Sequence, residues 1–191
     1  MLSYGPLVPA SGKRFYLFSS PHYRNLPGKK VLASGVFDVL HPEHIRYLEE
    51  AKKAGGPNSK LVVVLARDKT ALRMKGEAPV FNERARLRVI RSLKVVDEAM
   101  LGPSSTDLKE GIRKTILKVD PDIIAFGYDQ HHNSVVSRVK EVLRELGRRD
   151  IALVRVRRFA HDDLSQSSIV KSLIARKFSK PKKRMSRRRH R

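Results

Sequence analysis

From residue 30 onward, apolar positions along the chain follow two alternating rhythms. Val31–Val36 is a short apolar run ended by polar residues, which predicts a buried strand. Ile45, Leu48 and Ala51 then recur at helical spacing, with Glu49 and Lys53 as an i,i+4 ion pair, and Gly55-Gly56-Pro57-Asn58 stops that helix. Leu61–Ala66 is almost continuously apolar and largely β-branched, as expected of a strand covered on both faces. Asn82 is placed to cap a helix whose apolar face holds Leu87, Ile90 and Leu93. Val95–Leu101 reads as a strand. Ser104, Ser105 or Thr106 is expected to cap the next helix, with Leu108, Ile112 and Ile116 on one stripe and Asp120-Pro121 as its breaker. Ile123–Phe126 predicts another buried strand. Val135, Val139, Val142 and Leu146 mark a helix, Ile151–Val156 a fifth strand, and Ser167 to about Ala175 a last helix.

Strand and helix alternate five times, which predicts an α/β fold: a Rossmann-like, doubly wound sheet of five parallel strands with helices on both faces. Such sheets bind ligands at the carboxyl ends of their strands, where strand order reverses. Three regions follow. Residues 1–29 form an irregular extension punctuated by Gly and Pro, with Phe15–Phe18 as a candidate extra strand. Residues 30–175 form the domain, and residues 176–191 are a basic tail expected to be disordered.

Charge sharpens this division. The 191-residue chain carries a net +22. Residues 176–191 hold ten Lys/Arg and no acid, and residues 1–29 hold four and no acid, leaving +8 for the domain. A moderately basic body suits a domain that receives phosphates. The tail is read either as a solvated run or as a non-specific electrostatic contact with RNA or another polyanion. The chain has no cysteine, which excludes disulfides and thiolate metal sites and fits a reducing compartment. It contains no apolar run of about 18 residues or more and no secretory signal pattern. The expected location is the cytoplasm, with no membrane partner.

The chemistry-bearing segment follows the first strand: Gly35-Val36-Phe37-Asp38-Val39-Leu40-His41-Pro42-Glu43-His44. Pro42 suits the first position of a helix, placing His41 and His44 in or beside its first turn. Free amides and the helix dipole favour phosphate there. Two imidazoles beside them can donate hydrogen bonds to phosphoryl oxygens. Gly35 would let a phosphate approach the backbone. The competing reading makes both histidines surface or capping residues.

Further segments follow in order: Val64-Leu65-Ala66-Arg67-Asp68; Lys75-Gly76 with Pro79; Glu83-Arg84; Leu93-Lys94-Val95-Val96-Asp97; and Leu101-Gly102. Then come Pro121-Asp122-Ile123-Ile124, Gly127-Tyr128-Asp129-Gln130 and Ser165-Gln166-Ser167-Ser168-Ile169. With His41 to His44, this series over roughly residues 30–175 resembles the cytidylyltransferase-like nucleotidylyltransferases, with their HxGH and SSTxI motifs, and most of all the archaeal FAD synthase branch. The resemblance implies the HxGH-type nucleotidylyltransferase fold and transfer of AMP from ATP to FMN, giving FAD and pyrophosphate, with Mg²⁺ or another divalent cation.

The resemblance also implies residue roles. His41 and His44 would be catalytic, assisted by Lys75 reaching the β/γ-phosphates from a mobile-looking segment, Arg73 to Pro79. Gly35, Val36, Phe37, Gly127, Asp129, Ser167 and Ser168 would bind the nucleotide, Asp129 through a ribose hydroxyl or the base. Blander readings stand beside these: a solvated loop lysine for Lys75, an Asx turn for Asp129, and helix capping for the serines. Lys171 would add charge one turn further on. Arg84 and Arg88 share a helix face and are read as solvated, and His131 and His132 as loop or cap residues. Asp38 either binds metal or fixes the turn.

The chain departs from the family pattern twice. Glu43 stands at the glycine of HxGH, where a carboxylate opposes an arriving triphosphate unless it points away or holds a metal. Ser165-Gln166-Ser167 stands where Ser-Ser-Thr is usual. Two other functions stay open: a CTP-dependent cytidylyltransferase acting on a small phosphorylated alcohol, and a non-catalytic nucleotide- or RNA-binding protein on the same fold. A homodimer is a further possible partner.

Overall fold

A computed structural model describes residues 28–127, 134–156 and 167–178. Five strands, β1 (Lys30–Gly35), β2 (Lys60–Leu65), β3 (Glu98–Leu101), β4 (Ile123–Phe126) and β5 (Ala152–Arg155), form one sheet in the order β3-β2-β1-β4-β5. Every pairing is parallel. The helices are α1 (Pro42–Ala54), α2 (Asp68–Lys75), α3 (Glu83–Arg91), α4 (Leu108–Val119), α5 (Ser134–Glu145) and α6 (Ser167–Phe178). The predicted doubly wound α/β fold is present. The sheet grows outward from β1 through β2 to β3, then returns to the other side of β1 for β4 and β5. The order therefore reverses between β1 and β4.

The strands' side chains alternate between two cores. On one face Val31, Ala33, Leu61, Val63, Leu65 and Ala125 pack with Leu48 and Ala51 of α1 and Ile90 of α3. On the other, Leu32, Val62, Val64, Ile124 and Phe126 pack with Ile116 of α4 and Val139 and Val142 of α5. This is why β1, β2 and β4 read as continuous apolar runs: each is covered on both faces.

Several local expectations need correction. The segment expected to be a loop around Lys75 is the end of α2, closed by Gly76 at φ 77° with its amide donating to Leu72 O. That left-handed geometry is what ends the helix. The α4 cap is Asp107, whose carboxylate accepts from Lys109 N at 2.9 Å, and not Ser104, Ser105 or Thr106. Lys53 pairs with Glu50 at 2.7 Å, not with Glu49. β3 is only four residues long, because the residues before it form a turn in which Val96 N donates to Leu93 O at 3.0 Å, with Val95 and Val96 partly buried against the core. Asn82 caps α3 as expected, accepting from Ala85 N at 2.9 Å. Lys29 already belongs to the domain, since its carbonyl accepts from Lys60 N at 3.0 Å. Arg176 and Lys177 are helical, so the basic run continues α6 before leaving the described residues. Phe15–Phe18 and residues 179–191 lie outside the described residues, and no described helix is long and apolar enough to cross a membrane.

Candidate active site

β1 delivers its carboxyl end directly to α1, and the turn between them carries the histidine pair. His41 is the N-cap of α1 in extended conformation, and Pro42 is the first helical residue. His44 N donates to His41 O at 2.9 Å, and the two rings lie 3.8 Å apart between centroids. Pro42 has no amide and that of His44 is engaged, so the helix start offers fewer free amides than an unoccupied first turn would. Recognition of an anion there falls mainly on the rings. Phe37 backs His44 at 5.3 Å and Tyr47 at 6.3 Å, with Tyr47 Oη donating to Ala125 O of β4 at 2.9 Å.

His44 Nδ1 is buried with no hydrogen-bond partner. Burial, then the neighbouring charges of His41 and Lys75, push the His44 imidazole down to about 3, against a smaller upward pull from Asp38. His44 is thus neutral at physiological pH and has one N–H to donate. The influence of Lys75 shows that this ammonium shares the field of the histidine pair, although its side chain is exposed at the end of α2. An arriving polyanion would reverse the sign of that field and favour the protonated ring.

Phe37 has φ 49°, a left-handed conformation that bulky residues seldom adopt. Gly35 explains how it is tolerated: a Cβ at Gly35 would stand 2.8 Å from the Phe37 ring. Gly35 thus makes room for a side chain. Val36 and Phe37 are themselves buried, so only their backbone is available to a ligand.

Asp38 accepts from Val80 N at 2.9 Å and Phe81 N at 3.0 Å, and pairs with Lys171 of α6 at 2.8 Å. Of the two roles open for it, fixing the turn is the one these contacts display. Burial pushes its carboxyl up, but the bonds from Lys171, Phe81 and Val80 outweigh this and hold it below its ordinary value. Lys171, which also meets Glu77 at 3.0 Å, ties α6 to the turn that carries the histidines. Asp38→Asn should lower stability by about 1.5–3 kcal/mol, the usual worth of hydrogen bonds to a charged group. Since the folded carboxyl titrates below the unfolded one, the deficit against wild type should be full at pH 7. It should close as the pH falls through the carboxylate range, as followed by urea unfolding.

Arg86 is the residue that pattern reading missed. It is 1% exposed, in the first turn of α3. Its guanidinium donates to Val36 O just past β1, to Ala66 O just past β2 at 2.8 Å, and to Phe81 O at 3.0 Å. It also pairs with Asp68 at 2.7 Å. Asp68 and Glu83 accept from each other's backbone amides, and Arg67 joins Glu83 at 2.9 Å. One guanidinium fork thus fastens the carboxyl ends of β1 and β2 together. A sequence signal existed in the Arg-Asp and Glu-Arg dipeptides at 67–68 and 83–84, but nothing marked Arg86 as buried.

Gly127 is buried directly after β4, next to the point where strand order reverses. Asp129, His131 and His132 lie outside the described residues, as do the side chains of Ser167 and Ser168, whose backbone opens α6. An open cavity of about 490 Å³ adjoins His41, lined also by Leu40, Ile45 and Arg46. Another, of about 520 Å³ around Lys52, Lys60 and Asp97, lies at the amino ends of β2 and β3, the wrong end of the sheet for a ligand of this fold.

Residues 32–180 match the model of the cytidylyltransferase-like family. The chain is 43% identical over 150 residues to the FAD synthase of Methanothermus fervidus, covering 77% of this chain and 96% of that protein. It is 44% identical over 144 residues to the FAD synthase of Ferroglobus placidus, covering 75% and 84%. A crystal structure from Thermoplasma volcanium, described as a lipopolysaccharide core biosynthesis protein, superposes with a TM-score of 0.58 at 42% identity, covering 70% of this chain and 99% of that one. The fold, the paired histidines after β1 and these matches agree: the chain belongs to the cytidylyltransferase-like family.

Proposed function

We propose that the chain transfers AMP from ATP to FMN, giving FAD and pyrophosphate. The observation that carries this reading is the closely apposed His41–His44 pair between β1 and α1, beside the reversal of strand order. The choice of acceptor is supported by relatives called FAD synthase, matched over nearly their whole length.

A phosphate oxygen of FMN attacks the α-phosphorus of ATP in line, the bond to the bridging oxygen breaks, and pyrophosphate leaves. The attacking phosphate is already a nucleophile at neutral pH, so no side chain has to be activated. The protein's work is to position two phosphates and offset their charge. His41 and His44 donate to the oxygens around the α-phosphorus, and Lys75 adds a point charge toward the leaving phosphates. The backbone of Gly35 to Phe37 and Gly127, with Asp129, Ser167 and Ser168, completes the nucleotide site in this reading.

Mg²⁺ or another divalent cation belongs to the same reading. Among the described residues no three His, Asp or Glu side chains gather, and Asp38 is held by Val80, Phe81 and Lys171. The described residues therefore build no cage of their own, and no step is assigned to a protein-held metal. A Mg²⁺ bound mainly by substrate phosphates suits this arrangement and would neutralise part of their charge.

The test is pyrophosphate release by pure protein given ATP or CTP, each with FMN or glycerol 3-phosphate. Release with ATP and FMN, together with FAD formation, is expected. Release only with CTP and glycerol 3-phosphate would replace this reading with the cytidylyltransferase one. No release with any pair would leave a nucleotide- or RNA-binding protein. For that third reading, truncation after Phe178 removes most of the basic run without cutting α6 and should abolish any salt-sensitive RNA binding. A second copy of the chain is a further proposed partner, to be read from the mass in solution.

A further inference from the structure

Glu43 stands inside the site with its carboxylate unused. The residue is 7% exposed in the first turn of α1, and no described hydrogen bond or ion pair engages its side chain. Its carboxylate oxygens are not sealed from solvent and have no donor from the described residues, so they are open to a donor on a ligand.

Its place in the helix says which part of a ligand it would meet. Glu43 and Tyr47 are four residues apart, so they occupy one face of α1, and the side chains lean toward the helix start. Tyr47 reaches Ala125 O, which puts this face over β4. Glu43, one turn nearer the carboxyl ends, belongs to the β4 side of the site, toward Gly127. Two cations, Lys75 and Lys171, lie on the opposite, β2 side. Lys75 ends α2, which follows β2, and the Asp38–Lys171 pair is joined to residues 80 and 81 before α3. With triphosphate at the histidines and Lys75, the nucleoside half of the nucleotide runs across the β1/β4 reversal to the Glu43 side. There a carboxylate meets neutral N–H and O–H groups and not phosphate.

We propose that Glu43 is a specificity-determining residue of the donor site, accepting a hydrogen bond from an O–H or N–H group on the nucleoside half of the nucleotide. The inference rests on the nucleotidyl-transfer reading above. Two groups share this chemistry, the ribose hydroxyls and an exocyclic amine of the base. A site built to bond such a group discriminates against an analogue that lacks it, because its own polar atom is then left unpaired.

The experiment compares ATP with 2′-deoxy-ATP, 3′-deoxy-ATP and inosine triphosphate, reading Kd by calorimetry and kcat/KM by pyrophosphate release. The proteins are the full wild-type chain, Glu43→Ala and Glu43→Gln, each checked for an unchanged melting curve. In wild type, one analogue should lose about 10-fold or more, and which one identifies the bonded group. In Glu43→Ala that ratio should fall to near one. Glu43→Gln, which keeps a carbonyl acceptor, should recover part of it. Ratios that are the same in wild type and Glu43→Ala would overturn the proposal, as would equal gains for all four nucleotides in the variant, which would show a mere obstruction. Kd ratios test the proposal even without turnover, so absent transfer would sink only the functional reading. Failure of every nucleotide to bind would sink both.

Discussion

Replacing His44 with alanine should lower kcat/KM for FAD formation by about 10²–10³, the usual consequence of removing one preorganised donor to developing charge. The fold should survive. His44 closes no buried hydrogen bond through Nδ1, and its backbone bond to His41 O is kept by any residue. Two readouts separate a chemical role from a structural one. The loss should fall mainly on kcat, because donors that tighten on the reacting phosphorus act most strongly in the transition state. Acid stability should also change in the opposite sense. The folded imidazole titrates near 3 while an unfolded histidine titrates near its ordinary value of 6.5. Between those limits the unfolded wild-type chain binds the extra proton, so folding weakens as the pH falls through that window. Without His44 this contribution is gone, and the variant's stability should depend less on pH between 6.5 and 3. A variant with wild-type kcat would remove His44 from the mechanism.

The largest effect on stability is expected at Arg86. Arg86→Met keeps much of the buried stem but strips four acceptors of their donor: Val36 O, Ala66 O, Phe81 O and Asp68. Asp68 is 39% exposed and can rehydrate, so the cost falls mainly on the carbonyls left without a donor, about 1–3 kcal/mol for each that stays buried. For a chain of this size each kcal/mol lost lowers the melting temperature by roughly 2–4 °C. The two carbonyls at the carboxyl ends of β1 and β2 frame the turn that carries the histidines, so activity at temperatures where the variant is still folded should fall as well. Arg86→Lys should recover only part of either loss, because one ammonium cannot span three carbonyls lying in different directions. A variant as stable as wild type would mean that these carbonyls find other donors, and the guanidinium would not be the clamp described here.

Those two residues also mark how far the sequence could be read. The sheet was legible because β1, β2 and β4 are covered on both faces and therefore largely apolar. α1, α3, α4 and α5 were legible because each buries a stripe of small or branched residues. His41 and His44 stood out because a first parallel strand followed by Pro42 places them at a helix start, where this fold binds its ligands. α2 was missed because it buries only Ala71 and leaves Leu72 and Met74 exposed, so no stripe betrays it. Its end was mistaken for a loop because Gly76 signals a turn equally well after a helix or within a coil. Arg86 was missed because a buried arginine looks like a surface one until its acceptors, which come from residues 36, 66 and 81, are brought together by the fold. Asp38 was undecided for the same reason: its partners, Val80, Phe81 and Lys171, are distant in sequence. Gly35 also has a packing reason that is invisible in the sequence, since a Cβ there would meet the Phe37 ring. Glu43 was recognised as a departure from HxGH. Only the Tyr47 bond to Ala125 gives it a direction.

The most direct test is a crystal structure of the chain with FMN and a non-hydrolysable ATP analogue blocked between the α- and β-phosphates. The α-phosphate should lie within hydrogen-bond reach of both His41 and His44, with the outer phosphates toward Lys75 and the ribose toward Gly127. An analogue bound at the amino ends of the strands, around Lys52 and Lys60, or one whose phosphates leave both imidazoles untouched, would contradict the account.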